Sequence, residues 1–294
     1  MGKIEIRNLC FRYGKQMVLN NLNLDIPENA LYGYLGNNGS GKTTTIQVLL
    51  GLARPVKGEV LYDGQPFRDQ REKQLRKIGL CPGEPFYYDN LTGYEHLAYL
   101  DRIYHYGRTA INKVLAITGI ENARNKKLRH YSTGMIHRLG MAMALLHDPD
   151  ILFLDEPLNG LDPMGIQELR HLLEKLNREQ GMTILLSSHI LSELHQLATS
   201  YGILHNGQLL EQLTAEELDA RCSKYLLVRT DNDRRAADIL RKMFPEAICQ
   251  ATVEGLRLSP VGNEAAATAS GVLMENGLHV QELAVRSEGL EAYF

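Results

Sequence analysis

The segment YLGNNGSGKTTTIQVLL, residues 34–50, holds three glycines within six residues, followed by a lysine and three threonines. It matches the pattern G-x-x-x-x-G-K-[ST], in which glycines let backbone amides turn towards a phosphate and the lysine bridges the β- and γ-phosphates. A strand-like run before it and a helix-like run after it favour this motif over a glycine-rich turn with an unrelated lysine. The sequence therefore predicts a nucleoside triphosphate site formed by Gly36, Asn37, Asn38, Gly39, Ser40, Gly41, Lys42, Thr43 and Thr44.

A second cluster that could do chemistry is ILFLDE, residues 151–156, an apolar run that ends in two adjacent carboxylates. Such a run is typical of a strand in a parallel sheet, and ligands bind at the carboxyl end of such strands. Asp155 would hold a Mg²⁺-bound water there, the Thr43 hydroxyl would bind the ion, and Glu156 would act as general base for a hydrolytic water. The alternative is a solvated strand end, which the nearby phosphate loop makes the weaker interpretation.

Composition bounds the class of protein. The chain has 294 residues, enough for two domains. Its net charge of −3 lacks the basic surplus of a nucleic-acid-binding protein, so we expect no nucleic-acid partner. The four cysteines lie far apart, which predicts reduced thiols in a cytoplasmic protein. Because no apolar run reaches the roughly 20 residues that a bilayer requires, we do not expect the chain to cross a membrane by itself.

The apolar pattern predicts an α/β fold, in which strands alternate with helices. Short strands are expected within residues 3–35, and a hairpin is expected to turn at Asn206-Gly207. Further strands are predicted at Glu59–Tyr62, Ile78–Cys81, Ile151–Leu154 and Thr183–Leu186. Helices are predicted at Thr43–Leu52, Glu95–Tyr106, Ala110–Thr118, Met135–Leu146, Met164–Gln180 and Leu191–Thr199. From residue 223 onward the order strand, helix, strand, strand, helix, strand predicts a separate small α+β domain.

Taken together, these motifs resemble the nucleotide-binding subunit of an ABC transporter, and the chain is most similar to the ATPases of bacitracin- and lantibiotic-type exporters. Further elements stand in the family's order. YSTGM, residues 131–135, matches the signature Leu-Ser-Gly-Gly-Gln and retains Ser132 and Gly134. The resemblance implies that these two residues contact the γ-phosphate held by a second copy of the protein. A plain helix cap at Ser132 is the alternative.

The resemblance assigns three more residues. Tyr13, in FRYG, matches the family's aromatic residue that stacks on adenine, against the alternative of a half-buried strand aromatic. PLNGLD, residues 157–162, matches the loop that contacts the partner subunit, and we place Asp162 with the nucleotide-binding residues. His189 follows the apolar run TILLSS and matches the histidine that hydrogen-bonds the γ-phosphate, so we count it with Glu156 as catalytic.

The family also implies a fold and partners. The expected fold is a P-loop NTPase with a parallel core sheet, an antiparallel β subdomain, a helical subdomain at about residues 84–147 and a small α+β C-terminal domain. The expected domains are residues 1–222 and 223–294. The implied activity is ATP hydrolysis with ATP and Mg²⁺, coupled to a separate multi-span permease at the inner face of the membrane and requiring a second copy of the chain.

Two departures from the family pattern leave questions open. Gly83 stands where the family has a Mg²⁺-binding glutamine, and the next residue, Glu84, is either a substitute metal ligand or an exposed loop glutamate. In the signature, Thr133 adds a Cβ where a backbone approaches phosphate. The competing functions are a soluble ABC-type ATPase that acts on ribosomes or DNA ends, and a regulatory module that only senses ATP.

Overall fold

The computed structural model describes residues 2–195, 197–221, 224–259, 261 and 264–287. The chain divides into two compact units, Met1–Ala215 and Glu216–Phe294. The domain boundary predicted at residues 222 and 223 lies outside the described residues. Each unit has its own hydrophobic core.

Within the described residues, the first unit contains ten strands and most of the helices. Its strands are β1 (Ile4–Tyr13), β2 (Gln16–Ile26), β3 (Leu31–Leu35), β4 (Lys57–Tyr62), β5 (Gln65–Pro66), β6 (Ile78–Cys81), β7 (Ile151–Asp155), β8 (Thr183–Ser188), β9 (Ser200–His205) and β10 (Gln208–Thr214). Its helices are α1 (Lys42–Leu49), α2 (Arg71–Leu75), α3 (Gly93–Tyr104), α4 (Arg108–Ile117), α5 (Thr133–Leu145), α6 (Pro163–Gln180) and α7 (Leu191–His195), and α8 (Ala215–Arg221) follows β10. None of the helices in the described residues combines the length and the apolar character that a membrane span requires.

A six-stranded sheet in the order β10-β9-β3-β8-β7-β6 forms the centre of this unit. Strands β3, β6, β7, β8 and β9 run parallel, and β10 returns antiparallel after a turn at Asn206-Gly207, whose φ angles are 47° and 75°. The carboxyl ends of parallel strands meet at one edge, which is where such sheets bind ligands. Here that edge brings the loop after β3 next to the ends of β7 and β8. The predicted parallel core is confirmed.

A second, antiparallel sheet, in the order β2-β1-β4-β5, packs on the first. Alternate residues of β1 and β2 point inwards, among them Ile4, Ile6 and Leu24, and they share one core cluster with Phe153 of β7. Tyr13 is the last residue of β1. The packing of the two sheets therefore fixes the end of β1 relative to the central sheet.

Helices α3, α4 and α5 are inserted between β6 and β7, as the helical spacing predicts. Helix α3 starts at a capping box, in which the Thr92 hydroxyl accepts a hydrogen bond from the Glu95 amide at 3.2 Å and the Glu95 carboxylate accepts one from the Thr92 amide at 2.8 Å. The hydrogen bonds from Thr92 lower the pKa of Glu95. Such a cap contributes about 1 kcal/mol, so the start of this helix is set locally.

The helix predicted at Leu191–Thr199 is wrong in its second half. Helix α7 ends at His195, and residues 197–199 are not helical. The Thr199 amide instead donates a hydrogen bond to the Leu31 carbonyl at 2.8 Å, and the Thr199 hydroxyl accepts one from the Leu31 amide at 3.1 Å. Pairing with β3 at the sheet edge therefore outweighs the helical preference of this segment.

The second unit is a four-stranded antiparallel sheet with two helices on one face. Its elements are β11 (Lys224–Thr230), α9 (Asp233–Met243), β12 (Ile248–Thr252), β13 (Gly255–Ser259), α10 (Ala265–Glu275) and β14 (Val280–Ser287). The strand order is β12-β13-β11-β14, which is the split β-α-β arrangement. Leu226 and Val228 of β11 lie in one core cluster with Leu240 of α9 and Leu273 of α10, so both helices cover the same face. The predicted order of elements is confirmed.

A buried histidine in α3 predicts acid sensitivity of the first unit. His96 is only 3% exposed, its two ring nitrogens have no hydrogen-bond partner among the described residues, and burial lowers its pKa. Because its folded pKa lies below the unfolded value of about 6.5, the unfolded state takes up the proton first as the pH falls. Stability is therefore lost below about pH 6.5, by up to about 1.4 kcal/mol per pH unit down to the folded pKa.

The matched variants are His96→Leu and His171→Leu, the second of which removes an exposed histidine. We expect urea unfolding to show a smaller loss of stability between pH 7.5 and pH 5.5 for His96→Leu than for the parent, and no such change for His171→Leu. Burial also lowers the pKa of His147, so part of the acid sensitivity remains. An unchanged pH dependence in His96→Leu would contradict the prediction.

Candidate nucleotide site

The loop between β3 and α1 forms a glycine cradle. Gly39 and Gly41 have φ angles of 81° and 113°, in the left-handed region that favours glycine. A Cβ added at Gly36 would lie 2.5 Å from the Leu204 carbonyl oxygen, and one at Gly41 would lie 2.7 Å from the side chain of Leu19. A Cβ at Gly39 would meet nothing within 4 Å. Two glycines are therefore required by packing, and the third faces open space.

Lys42 begins α1 and is almost fully buried, with 5% of its side chain exposed. Its ammonium donates to the Gly36 carbonyl at 2.6 Å and to the Asn37 carbonyl at 3.3 Å. It also lies 3.0 Å from Oε1 of Glu156. A buried charge needs such partners, because desolvation disfavours an unpaired ammonium. The loop carbonyls and the carboxylate thus hold the amine at the mouth of the cradle.

The carboxylates at the end of β7 are connected to β8. Asp155 is paired in register with Ser187, whose hydroxyl donates to the Asp155 carboxylate at 2.7 Å and accepts from the Glu156 amide at 2.9 Å. Oε2 of Glu156 lies 2.8 Å from Nδ1 of His189. A chain of polar contacts therefore runs from Lys42 through Glu156 to His189, and three predicted residues lie together.

The residues present fit a nucleotide with its metal ion. The Ser40 hydroxyl is buried and has no hydrogen-bond partner within the described part of the chain, so a donor in the cradle wall lacks an acceptor. Thr43 is exposed in the first turn of α1. No group of three or more His, Cys, Asp or Glu side chains in the described ranges could hold a metal ion alone. Mg²⁺ usually binds one or two carboxylates together with substrate phosphates, and in such a site Asp155 would supply the carboxylate and Thr43 a hydroxyl oxygen.

Tyr13 connects the antiparallel sheet to α1. Its side chain is 53% exposed, and its hydroxyl donates to the Gln47 amide oxygen at 2.8 Å. The ring packs edge-on against Phe11 with the centroids 4.8 Å apart. The ring is therefore held at a fixed distance from the helix that follows the phosphate loop, and it remains open to solvent.

The signature residues lie elsewhere in the unit. Ser132 caps α5 and accepts from the Met135 amide at 3.3 Å, and Asp162 caps α6 and accepts from the Gly165 amide at 2.8 Å. Both line a cleft of about 710 Å³ together with Gly134. A Cβ added at Gly134 would meet only Leu161, at an ordinary 3.8 Å. The fold of this subunit therefore does not require a glycine at position 134.

The loop after β6 reaches the same edge of the sheet. A Cβ added at Gly83 would lie 2.9 Å from the Asp155 carbonyl oxygen, closer than side-chain carbons come to backbone. Glu84 is the next residue and is exposed. The position that touches the end of β7 is therefore Gly83, through its backbone, and the metal-ligand role of Glu84 stays a prediction.

Sequence reasoning missed several residues of the site. Ser187 bonds both the Asp155 carboxylate and the Glu156 amide, Gln47 holds Tyr13, and His137 of α5 lies 3.0 Å from the Pro157 carbonyl oxygen. The two serines at the end of TILLSS were a usable signal for the first, because polar residues at a strand's carboxyl end face the ligand edge. The other two depend on contacts between distant elements.

The known protein family and the curated proteins that this chain resembles are transport ATP-binding proteins. A model of the ABC transporter family matches residues 19–159. The bacitracin transport ATP-binding protein BcrA of Bacillus licheniformis is 38% identical over 294 residues, which cover 99% of this chain and 95% of that protein. The lantibiotic transport ATP-binding protein SrtF of Streptococcus pyogenes is 40% identical over 207 residues, which cover 70% of this chain and 89% of that protein.

Solved structures with a similar fold are also ABC transporter cassettes. An ATP-binding subunit of an ABC transporter superimposes with a TM-score of 0.65 at 29% identity, over 74% of this chain and 92% of that one. A dimeric bacterial ABC transporter cassette gives a TM-score of 0.65 at 27% identity, over 72% of this chain and 98% of that one. Both similarities therefore include nearly the whole length of the compared cassettes.

The parallel sheet and the glycine cradle between β3 and α1 define a protein of the P-loop class. The 38% identity over 99% of the chain shows that it belongs to the ABC transporter family, as an ATP-binding subunit that couples ATP hydrolysis to transport. Within that family it is related to the bacitracin and lantibiotic transport ATP-binding proteins.

Proposed function

We propose that two copies of this chain close around two ATP molecules and drive a separate multi-span permease that exports a peptide antibiotic or a similar compound. The observation that carries this proposal is the polar chain from Lys42 through Glu156 to His189, with contacts of 3.0 and 2.8 Å beside the glycine cradle. It provides a phosphate-binding cation, a base and a second phosphate-binding group at one edge of the sheet. The cargo class is inferred from relatives that carry the names of bacitracin and lantibiotic transport proteins.

The same contacts suggest how binding prepares hydrolysis. In the structure the Lys42 ammonium lies 3.0 Å from Oε1 of Glu156. A γ-phosphate competes for that ammonium, and the released carboxylate oxygen then accepts the proton of the attacking water. His189, on the other carboxylate oxygen, orients Glu156 and donates to the γ-phosphate. Thr43 and Asp155 are the residues that would hold Mg²⁺, which would supply positive charge at the phosphates.

The second copy completes the site. Ser132 and Gly134 lie at the N-terminus of α5, where a helix directs free amides and the positive end of its dipole at an anion. Packing within the subunit does not require a glycine at position 134, because a Cβ would fit there. The close approach of the phosphate bound by the partner subunit would explain why the residue is glycine. The test is sedimentation of the Glu156→Gln variant. We expect a dimer with ATP and magnesium and a monomer with ADP, and a monomer under both conditions would contradict the sandwich.

The permease would contact an exposed aromatic cluster on the helical insertion. Phe86 packs edge-on against Tyr88 at 5.2 Å, Tyr88 packs against Tyr99 at 6.1 Å, and all three are exposed. Ile103 adds a further exposed apolar side chain. Contiguous apolar surface of this kind is typical of a protein contact. Through it the subunit would sit at the inner face of the membrane without entering the bilayer.

The experiment for this contact is co-purification from detergent extracts of the native source. We expect a multi-span membrane protein with the parent chain, and its loss on Phe86→Ala combined with Tyr99→Ala. The matched control is Ile248→Ala, which changes an exposed apolar residue of β12 in the second unit. Retention of the same membrane protein by the double variant would place the contact elsewhere.

The proposed adenine contact of Tyr13 has a test in two variants. Tyr13→Ala removes the ring, and we expect the Kd for ATP to rise at least about fivefold, the lower end of base–aromatic stacking. Tyr13→Phe loses only the hydrogen bond to Gln47 and keeps the ring, so the Kd should stay within about twofold of the parent. Calorimetric titration measures both. An equal weakening in the two variants would assign the effect to the hydroxyl and not to stacking.

A further inference from the structure

Glu156 has a backbone conformation that glutamate rarely adopts. Its φ angle is 51°, in the left-handed region, at the point where β7 ends. Such conformations cost energy and persist only where the surroundings hold them. Here the Glu156 amide donates to the Ser187 hydroxyl at 2.9 Å, and its carbonyl accepts from the Asn159 amide at 3.2 Å. The direction of the carboxylate therefore depends on how the backbone of this segment is held.

A third hydrogen bond holds the next residue. Nδ1 of His137 lies 3.0 Å from the carbonyl oxygen of Pro157, which is buried. A carbonyl only accepts, so Nδ1 must carry the proton and Nε2 is the ring atom without one in the neutral form. A buried carbonyl needs a hydrogen-bond donor, and for the Pro157 carbonyl that donor is the imidazole of His137. The imidazole thus fixes the peptide group between Pro157 and Leu158, one residue beyond Glu156.

His137 belongs to the helix that begins with the signature residues. Helix α5 is capped by Ser132, and His137 lies one turn further along. A helix transmits a displacement of its first turn to the next because the two turns share backbone hydrogen bonds. A contact made at the start of α5 is therefore connected, through His137, to the carbonyl of Pro157, the residue that follows Glu156.

We propose that His137 is a positioning residue for Glu156, which it acts on by donating a hydrogen bond to the Pro157 carbonyl. The proposal rests on the catalytic role of Glu156 given above. It adds a route by which engagement of the signature helix sets the orientation of the base in the same subunit. His137 does not touch nucleotide in this account, so its loss affects the chemical step and not the binding of ATP.

The experiment compares four variants in steady-state ATP hydrolysis by the full chain. His137→Leu removes the donor, and His137→Asn returns an amide nitrogen at the place of Nδ1. His137→Gln carries its amide one carbon further out. His171→Leu is the control, because it makes the same change of histidine to leucine at an exposed position of α6. Unfolding in urea checks that each variant is folded.

We expect His137→Leu and His137→Gln to lower kcat about 3- to 10-fold, the effect of one lost hydrogen bond, with KM unchanged. His137→Asn should recover most of the parent kcat, and His171→Leu should match the parent. If His137→Leu fails to fold, the comparison of Asn with Gln decides alone. Equal kcat in these two variants, or a change in KM without one in kcat, overturns the proposal.

A further measurement separates this proposal from the proposed function. In the Glu156→Gln background, ATP-dependent dimer formation should not change on adding His137→Leu. If Glu156→Gln abolishes turnover while His137→Leu leaves kcat at the parent value, the positioning role fails and the role of Glu156 stands. If Glu156→Gln itself hydrolyses ATP at the parent rate, the proposed function fails first.

Discussion

Replacing Glu156 by glutamine lowers the turnover of ATP by about 10²- to 10⁴-fold, the usual contribution of a general base. Glutamine keeps the volume of the side chain and can still accept hydrogen bonds, but it cannot take the proton of the attacking water. ATP binding is retained, because a neutral amide competes for the Lys42 ammonium less strongly than a carboxylate and leaves it available to phosphate. Release of inorganic phosphate measures the rate, and calorimetric titration measures the affinity.

The matched control for this variant is Glu179→Gln, at the exposed end of α6. It makes the same chemical change away from the phosphate loop and should leave turnover within about twofold of the parent. A Glu156→Gln protein that hydrolyses ATP as fast as the parent would remove the general base from the proposed mechanism. A loss of ATP binding in the same variant would point to a folding defect, which urea unfolding would detect.

Replacing Lys42 by methionine weakens ATP binding by on the order of 10- to 100-fold, because hydrogen bonds to a charged group contribute about 1.5–3 kcal/mol. Methionine fills the buried path of the lysine stem without its ammonium. The change also leaves Glu156 beside His189 without its cation. Calorimetric titration with ATP and magnesium measures the affinity, and we expect turnover to fall with it.

Lys242→Met, at an exposed position of α9 in the second unit, is the control for the charge change. It should bind ATP like the parent. If Lys42→Met also binds ATP within about twofold of the parent, the glycine cradle holds the phosphates without the lysine. The assignment of residues 36–44 would then rest on backbone amides alone.

The sequence was sufficient for the parts of the site that local pattern specifies. The glycines and Lys42 follow a fixed spacing, and the apolar run before Asp155 identifies a buried strand. Because the carboxyl ends of parallel strands share one edge, these motifs could be expected to meet before any contact was known. The order of elements in the second unit also followed from its apolar pattern.

Other features depend on contacts that no local pattern encodes. The pairing of Asp155 with Ser187 is a matter of strand register, which is set by the packing of the whole sheet. The left-handed φ of Glu156 is held by hydrogen bonds to Ser187 of β8 and from the Asn159 amide, so it could not be predicted from glutamate's own preferences. Thr199 lies outside a helix because β3 binds it, which local periodicity does not reveal.

The close approach of Gly83 to Asp155 has a consequence for redesign of this loop. With 2.9 Å between a would-be Cβ and a backbone oxygen, any side chain at position 83 requires a shift of the loop or of the end of β7. A glutamine could therefore be introduced at this position only together with a displacement of the backbone around it.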